Sequence, residues 1–317
     1  MPYIHLARID HWFKNIFCLP GIVLVYALTQ RVPQISDLSA LIIGLLSVCL
    51  TASANYTINE ILDAGPDKRH PDKVFRPVPS GEVDIHWAYA QYIFLSLASH
   101  GIALFVSPLF FLAIFSLWIM GIIYNVPPIR SKEIPYIDAL SEAINNPIRL
   151  VLGWWMIDDT FLPPVSILVA YWMMGAYFMS LKRYAEYRYI GDSKRAGEYR
   201  KSFKYTNDRR LLIAAVVQGN ICCLMLGVFL AKFRVELVMS FPFIALLLAV
   251  YLGVALRKNS PVQYPEKLYR EKGLVCCSLI TTAVLVLLLY IDLPWLNKYL
   301  KMPTPDVPVS RVAAAKE

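Results

Sequence analysis

Asn55-Tyr-Thr-Ile-Asn59-Glu-Ile-Leu-Asp63-Ala-Gly-Pro66-Asp67-Lys-Arg-His70-Pro-Asp-Lys73-Val-Phe-Arg76-Pro-Val-Pro-Ser-Gly81 carries an apolar segment directly into acids and then into bases. Asn59, Asp63 and Asp67 recur every four residues. On a helix that spacing drifts about 40° per step, so Asn59 and Asp63 share one face. Pro66 cannot donate to Leu62 and disfavours helix at Gly65, so a break is expected there, with Asp67 opening a new turn. Carboxylates beside an amide suit a hard divalent cation that takes its remaining ligands from water and a substrate diphosphate.

The surrounding chain sets this stretch at a membrane boundary. Of 317 residues, 57% are hydrophobic and 17% charged, against roughly 25% charged in soluble domains. Apolar stretches near 16–30, 38–58, 87–107, 109–126, 136–157, 163–181, 211–231, 237–256 and 274–293 predict an all-α integral membrane protein of about nine transmembrane helices. Residues 3–15 read as an amphipathic lead-in with Trp12 at the interface. One transmembrane domain is expected over 1–300, with a disordered Pro- and Ala-rich tail at 301–317. The start lacks a cleavable signal pattern, so the first helix is expected to stay. The six cysteines all lie in apolar stretches without CxxC spacing and read as small hydrophobes.

The net charge of +8 does not point to nucleic acid, because the bases gather in alternate loops between spans. Lys68, Arg69, Lys73 and Arg76, then Arg130 and Lys132, then the run from Lys182 to Arg210, then Arg257 to Lys272 follow the second, fourth, sixth and eighth spans. The positive-inside rule puts these loops, and the acidic stretch with them, in the cytoplasm of a bacterial-type inner membrane, with the C-terminus outside. Long polar loops after spans two and six hint at two four-helix halves plus one span.

Span five opens with polar groups that lipid would not tolerate. Asp138, Glu142, Asn145 and Arg149 fall on one stripe that descends roughly 16 Å, and they are expected to line a bundle interior. Pro147 predicts a kink beside Asn146. Before that span, Tyr124-Asn125-Val126-Pro127-Pro128-Ile129-Arg130-Ser131-Lys132 forms a rigid basic turn that could grip a phosphate. Span six ends on Lys182, Arg183 and Glu186 interleaved with tyrosines, and its loop continues with Lys194, Arg195, Arg200, Lys201 and Lys204. That loop suits either a phosphate-rich soluble substrate or anionic lipid headgroups.

Taken together, the span pattern, Asn59-xxx-Asp63-xxx-Asp67, Arg76-Pro-Val-Pro-Ser-Gly81 and the turn from Tyr124 to Lys132 leading to Asp138 resemble the UbiA superfamily of membrane prenyltransferases. The resemblance, over roughly residues 8–280, implies helices around a central cavity open to lipid. It also implies a cytoplasmic cap and magnesium held by acids on a diphosphate. Aromatic prenyltransferases of the superfamily carry a second Asp-rich motif after span six, where this chain has Lys182-Arg-Tyr-Ala-Glu186. That segment, Trp12-Phe-Lys14-Asn15, His70-Pro-Asp-Lys73 and Tyr199-Arg-Lys-Ser-Phe-Lys-Tyr-Thr206 resemble the decaprenyl-phosphate phosphoribosyltransferase branch. The turn from Tyr124 to Asp138 is closer to the ordinary prenyltransferases.

The resemblance implies a magnesium-dependent transferase in which Asp63 and Asp67, helped by Asn59, hold the metal on a departing diphosphate. Asp138 and Glu142 would complete the metal shell or orient sugar hydroxyls. Lys73, Arg76, Lys132, Lys182 and Arg183 would bind phosphates, and Lys14, Tyr124, Asn145, Arg149 and Glu186 would complete the substrate contacts. Two reactions remain open: phosphoribosyl transfer from phosphoribosyl pyrophosphate to polyprenyl phosphate, or prenyl transfer from a polyprenyl diphosphate to a small acceptor. A non-catalytic transporter using Asp138, Glu142 and Arg149 as an ion path is a third.

Overall fold

The structure, a computed structural model, describes residues 2–68 and 73–300. His70–Asp72 of the expected phosphate loop and the expected tail at 301–317 lie outside the described residues. Every regular element among the described residues is helical. The chain opens with α1 (Pro2–Leu6), a 3-10 stretch over Ile9–Cys18, α2 (Leu19–Thr29) and the long α3 (Ile35–Asp67). A short α4 (Pro77–Ser80) leads to α5 (Ile85–Ala103) and α6 (Pro108–Asn125). Next come α7 (Ile137–Ala143), α8 (Asn145–Trp155), α9 (Val165–Ile190), α10 (Ser193–Tyr199) and α11 (Asp208–Phe233). The last are α12 (Phe241–Ala255), α13 (Lys272–Tyr290) and α14 (Pro294–Leu300).

Seven segments are long and apolar enough to cross a membrane: Pro2–Thr29, Ile35–Asp67, Pro108–Asn125, Val165–Ile190, Asp208–Phe233, Val235–Ala255 and Lys272–Tyr290. The protein is an integral membrane protein, and two of the nine expected spans depart from that standard. The stretch 87–107 forms α5, a full-length helix along α3 whose His86, Gln91 and His100 reduce its apolarity. The stretch 136–157 is broken at Ile144 into α7 and α8. Pro147 lacks the N–H that would bond the Ala143 carbonyl, which interrupts the helical bonding there, while Ile144 keeps right-handed helical dihedrals and its N–H still bonds the Leu140 carbonyl at 3.1 Å.

The position of the acidic stretch follows from the length of α3. Its N-terminus is fixed by a capping box in which Asp37 Oδ2 accepts from the Gln34 N–H at 2.9 Å. Its 33 residues extend about 50 Å, well beyond a hydrocarbon core of roughly 30 Å. The last turns, Asn59 to Asp67, therefore project past the apolar layer. The break expected at Pro66 does not occur: α3 runs through to Asp67, and the Lys68 N–H closes the last turn on the Ala64 carbonyl at 3.1 Å. In a final turn the lost proline bond costs one terminal hydrogen bond, not the helix.

Close helix approach fixes the wall on the other side. A Cβ on Gly21 of α2 would strike the Leu150 carbonyl, and one on Gly153 of α8 would strike the Cys18 carbonyl. Around that contact Trp154, Leu150, Leu152, Val25 and Cys18 are buried together. Trp12, expected at the interface, turns inward and donates to Ser53 Oγ at 2.9 Å. All six cysteines are free. The C-terminal ends of α3, α6 and α9 and the start of α7 meet at one end of the bundle, where the polar groups gather.

Candidate active site

Lys132, on the 3-10 turn Ser131–Glu133, reaches into an oxygen cage. Its Nζ lies 2.7 Å from both carboxylate oxygens of Asp63, 3.1 Å from Asn59 Oδ1 and 2.9 Å from Asn125 Oδ1. Asn59 and Asp63 come from one face of α3, as their spacing predicts, and Asn125 from the last residue of α6. Arg130 Nη2 adds a second cation on Asp63 at 2.7 Å, while its Nε holds Glu133 at 2.7 Å. The turn is strained at both ends: Arg130 has φ 36° and Tyr136 φ 65°, conformations that cost on the order of 1–3 kcal/mol each and collect at functional sites. Burial pulls the Lys132 ammonium below the ordinary lysine pKa, and the Asp63 charge opposes part of that effect.

Asp67 belongs to a different cluster. It is buried, with Arg76 Nη1 at 2.7 Å and Lys73 Nζ at 3.7 Å. Buried Glu60 accepts the Val78 N–H at 3.0 Å, so two acids of α3 clamp the loop through α4. The expected trio thus divides: Asn59 and Asp63 share the Lys132 cage, and Asp67 fastens the neighbouring basic loop. Among the described residues no three His, Cys, Asp or Glu side chains gather as a metal-binding set.

A second centre lies across the end of the bundle. The Arg183 guanidinium is almost fully buried and takes three carboxylates: Asp138 on Nε at 3.1 Å, Glu142 on Nη2 at 3.1 Å and Glu186 on Nη1 at 3.0 and 3.2 Å. Arg200, from the loop after α10, pairs with Asp138 at 3.3 Å, and Ser202 Oγ donates to the same oxygen at 3.4 Å. Tyr124 joins the two centres, since its hydroxyl donates to Glu142 at 3.0 Å while the adjacent Asn125 serves the Lys132 cage. Asp63 and Asp138 therefore belong to one continuous polar layer.

The predicted stripe on span five is only partly one unit. Asp138 and Glu142 meet on Arg183, whereas Asn145 Nδ2 donates to the Glu142 carbonyl and Arg149 Nε donates to Asn15 Oδ1 at 3.2 Å. Lys14 Nζ lies 5.6 Å from the Tyr56 ring, in a cleft shared with Asn59 and Arg76. Lys182 makes no hydrogen bond or ion pair among the described residues. Sequence reasoning did not single out Asn125, Arg130 or Arg200 as site residues. Each stood inside a quoted motif, but only the fold turns it inward rather than to solvent.

The UbiA prenyltransferase family matches residues 16–265. The chain belongs to that family. Among curated relatives, the decaprenyl-phosphate phosphoribosyltransferase of Mycobacterium tuberculosis is 29% identical over 105 residues, 33% of this chain and 35% of the relative. The protein of that name from Corynebacterium glutamicum is 31% identical over 103 residues, 32% of this chain and 30% of the relative. The chain thus matches about a third of the length of these curated relatives. A UbiA homologue from Archaeoglobus fulgidus bound to GPP and Mg2+ superposes with a TM-score of 0.69, covering 92% of this chain and all of that one. At 22% identity this likeness is one of fold.

The magnesium expected of a UbiA-type transferase fits the Lys132 cage better than the Asn59–Asp63–Asp67 trio. Four oxygens from Asn59, Asp63 and Asn125 already surround a cation, the Lys132 ammonium, and carboxylate and amide oxygens are the donors a hard divalent ion takes.

Proposed function

We propose that this UbiA-family protein transfers a 5-phosphoribosyl group from phosphoribosyl pyrophosphate to a polyprenyl phosphate, with magnesium, at the cytoplasmic end of one catalytic domain extending to residue 300. The observation that carries this reading is Arg183. Asp138, Glu142 and Glu186 converge where a second metal-binding acidic set would serve an allylic donor, and one guanidinium saturates all three. Arginine stays charged at any working pH, so it occupies one oxygen or more of each of these acids permanently. One oxygen set, at Asn59, Asp63 and Asn125, is left for a metal-diphosphate. The curated relatives named decaprenyl-phosphate phosphoribosyltransferase support the same choice. The basic loops at this end support its cytoplasmic orientation.

Asn59, Asp63 and Asn125 would hold the magnesium, with Asp67 keeping Arg76 and Lys73 beside it. When bound there, the ion offsets the negative charge that builds on a departing diphosphate. Lys132, on a flexible stem, moves from the cage oxygens to the phosphates. Arg130, Lys73 and Arg76 take further phosphate oxygens. Asp138 and Glu142, oriented by Arg183, accept hydrogen bonds from ribose hydroxyls. The bond from the anomeric carbon to diphosphate breaks as an acceptor phosphate oxygen bonds to that carbon. Because the acceptor is already anionic, it needs no strong general base.

The second reading, prenyl transfer from a polyprenyl diphosphate to a small acceptor, draws on the fold shared with the GPP- and Mg2+-bound homologue. The transporter reading is set aside because the family is one of transferases. Purified protein with magnesium is given phosphoribosyl pyrophosphate plus polyprenyl phosphate, or polyprenyl diphosphate plus 4-hydroxybenzoate. Turnover of the first pair is expected. Turnover of the second alone would refute the phosphoribosyl reading.

A further inference from the structure

Glu133 closes the turn that carries Lys132, and a cation takes each of its oxygens. Arg130 Nε donates to Oε1 at 2.7 Å and Lys201 Nζ to Oε2 at 2.8 Å. The same guanidinium reaches the cage, where Nη2 donates to Asp63 Oδ1 at 2.7 Å, and Nη1 donates to the Asn125 carbonyl at 3.3 Å. Arg130 is therefore strung between two carboxylates, Asp63 in the cage and Glu133 at its rim. The backbone beneath it is pinned: the Arg130 N–H bonds the Val126 carbonyl at 3.0 Å, and buried Ser131 donates to Ser141 Oγ of α7 at 2.8 Å.

Asp63 holds more cation than it can keep once the cage fills. Its Oδ1 takes Arg130 and Lys132, each at 2.7 Å. Like charges that meet at one oxygen repel, and a divalent ion seated on Asp63 would bring two more positive charges to the same place. Asp63 then releases both side chains. Lys132 has a flexible stem and follows the phosphates, whereas the Arg130 guanidinium is a rigid fork whose direction is set by whatever holds its Nε. With side chains 16% and 28% accessible, Arg130 and Glu133 stand at the edge of water. A guanidinium let go by Asp63 with no other carboxylate to hold it would turn outward; held by Glu133, it keeps Nη2 free beside the cage.

We propose that Glu133 is a positioning residue for the donor, holding Arg130 by Nε so that Nη2 passes from Asp63 to a diphosphate oxygen. Lys201, which opens the 3-10 turn Lys201–Tyr205, fixes the second Glu133 oxygen and keeps the carboxylate from rotating away. The proposal rests on the proposed seat of the metal-diphosphate at Asn59, Asp63 and Asn125, which both transfer readings share, and not on which group is transferred. Ion pairs this close to water add little to stability. The role of Glu133 therefore shows in ligand affinity rather than in folding.

The test measures binding of inorganic pyrophosphate with magnesium to the full chain in detergent. Glu133→Gln should weaken it about threefold to tenfold, with the ligand-free melting temperature within about 2 °C of wild type. Glu133→Asp, which keeps the charge, should recover part of the loss, and Lys201→Gln should cost less than Glu133→Gln. Arg130→Gln should weaken binding at least as much as Glu133→Gln. On that background Glu133→Gln should add less than about twofold, because Glu133 acts through Arg130. Unchanged affinity in Glu133→Gln would overturn the role, as would an equal loss from Glu133→Gln with and without Arg130. Such a result in a protein with phosphoribosyl turnover would remove the role and leave the transfer reading standing. Affinity that depends on Glu133 through Arg130, in a protein without that turnover, would do the reverse.

Discussion

Removing the Arg183 side chain is the most demanding test of the charge balance described here. Arg183→Met keeps much of the volume and deletes four hydrogen bonds of 3.0–3.2 Å to Asp138, Glu142 and Glu186. The guanidinium side chain is 4% accessible, so solvent screens little of the loss. Breaking one buried ion pair from one side costs about 3–5 kcal/mol. Arg200 still faces Asp138 at 3.3 Å, which keeps the expected loss within that range although three acids are involved. At roughly 2–4 °C per kcal/mol, the melting temperature in detergent should fall by about 6–20 °C. Arg183→Lys keeps the charge but cannot fork to three carboxylates at once, so it should fall between wild type and Arg183→Met. The freed carboxylates should also bind one more divalent ion, countable with Mn2+. An Arg183→Met protein that melts within about 2 °C of wild type, with unchanged Mn2+ stoichiometry, would refute the reasoning.

Further outcomes follow from other parts of the molecule. Because burial depresses the Lys132 pKa, Lys132 loses its proton at lower pH than an ordinary lysine. Phosphoribosyl turnover should therefore decline on the alkaline side below the usual lysine range, and Lys132→Arg should carry that limb to higher pH. Gly153→Ala should lower the melting temperature, because its Cβ would press on the Cys18 carbonyl, an overpacking cost of about 1–3 kcal/mol. Gly227→Ala, where a Cβ meets nothing within 4 Å, should be neutral or raise stability by up to about 1 kcal/mol through helix propensity.

The helical architecture was legible in the sequence because a bilayer imposes a length of apolar chain that composition alone reveals. Asn59 and Asp63 were legible for a related reason, since a four-residue spacing keeps its meaning along any helix. Pro66 misled because a proline's effect depends on its place: mid-helix it removes a bond and clashes, whereas in the last turn of α3 it removes one terminal bond. In span five the proline sits mid-helix, where Pro147 deprives Ala143 of a donor and interrupts the bonding between α7 and α8. Asn125, Arg130 and Arg200 were illegible as site residues because their roles depend on the end of α6 and two loops folding back over α3 and α7. No local periodicity encodes that return. The pairing of Glu142 with Arg183 was hidden likewise, since it depends on how α9 packs against α7.

The central claim is that the oxygens of Asn59, Asp63 and Asn125, now around the Lys132 ammonium, are the seat of the metal-diphosphate. Phosphoribosyl pyrophosphate binding to wild type and to Asp63→Asn, each with magnesium and with EDTA, tests it most directly. Wild type should bind only with magnesium, and Asp63→Asn should lose that dependence along with most of its affinity. Magnesium-dependent binding of equal strength in both proteins would contradict the claim.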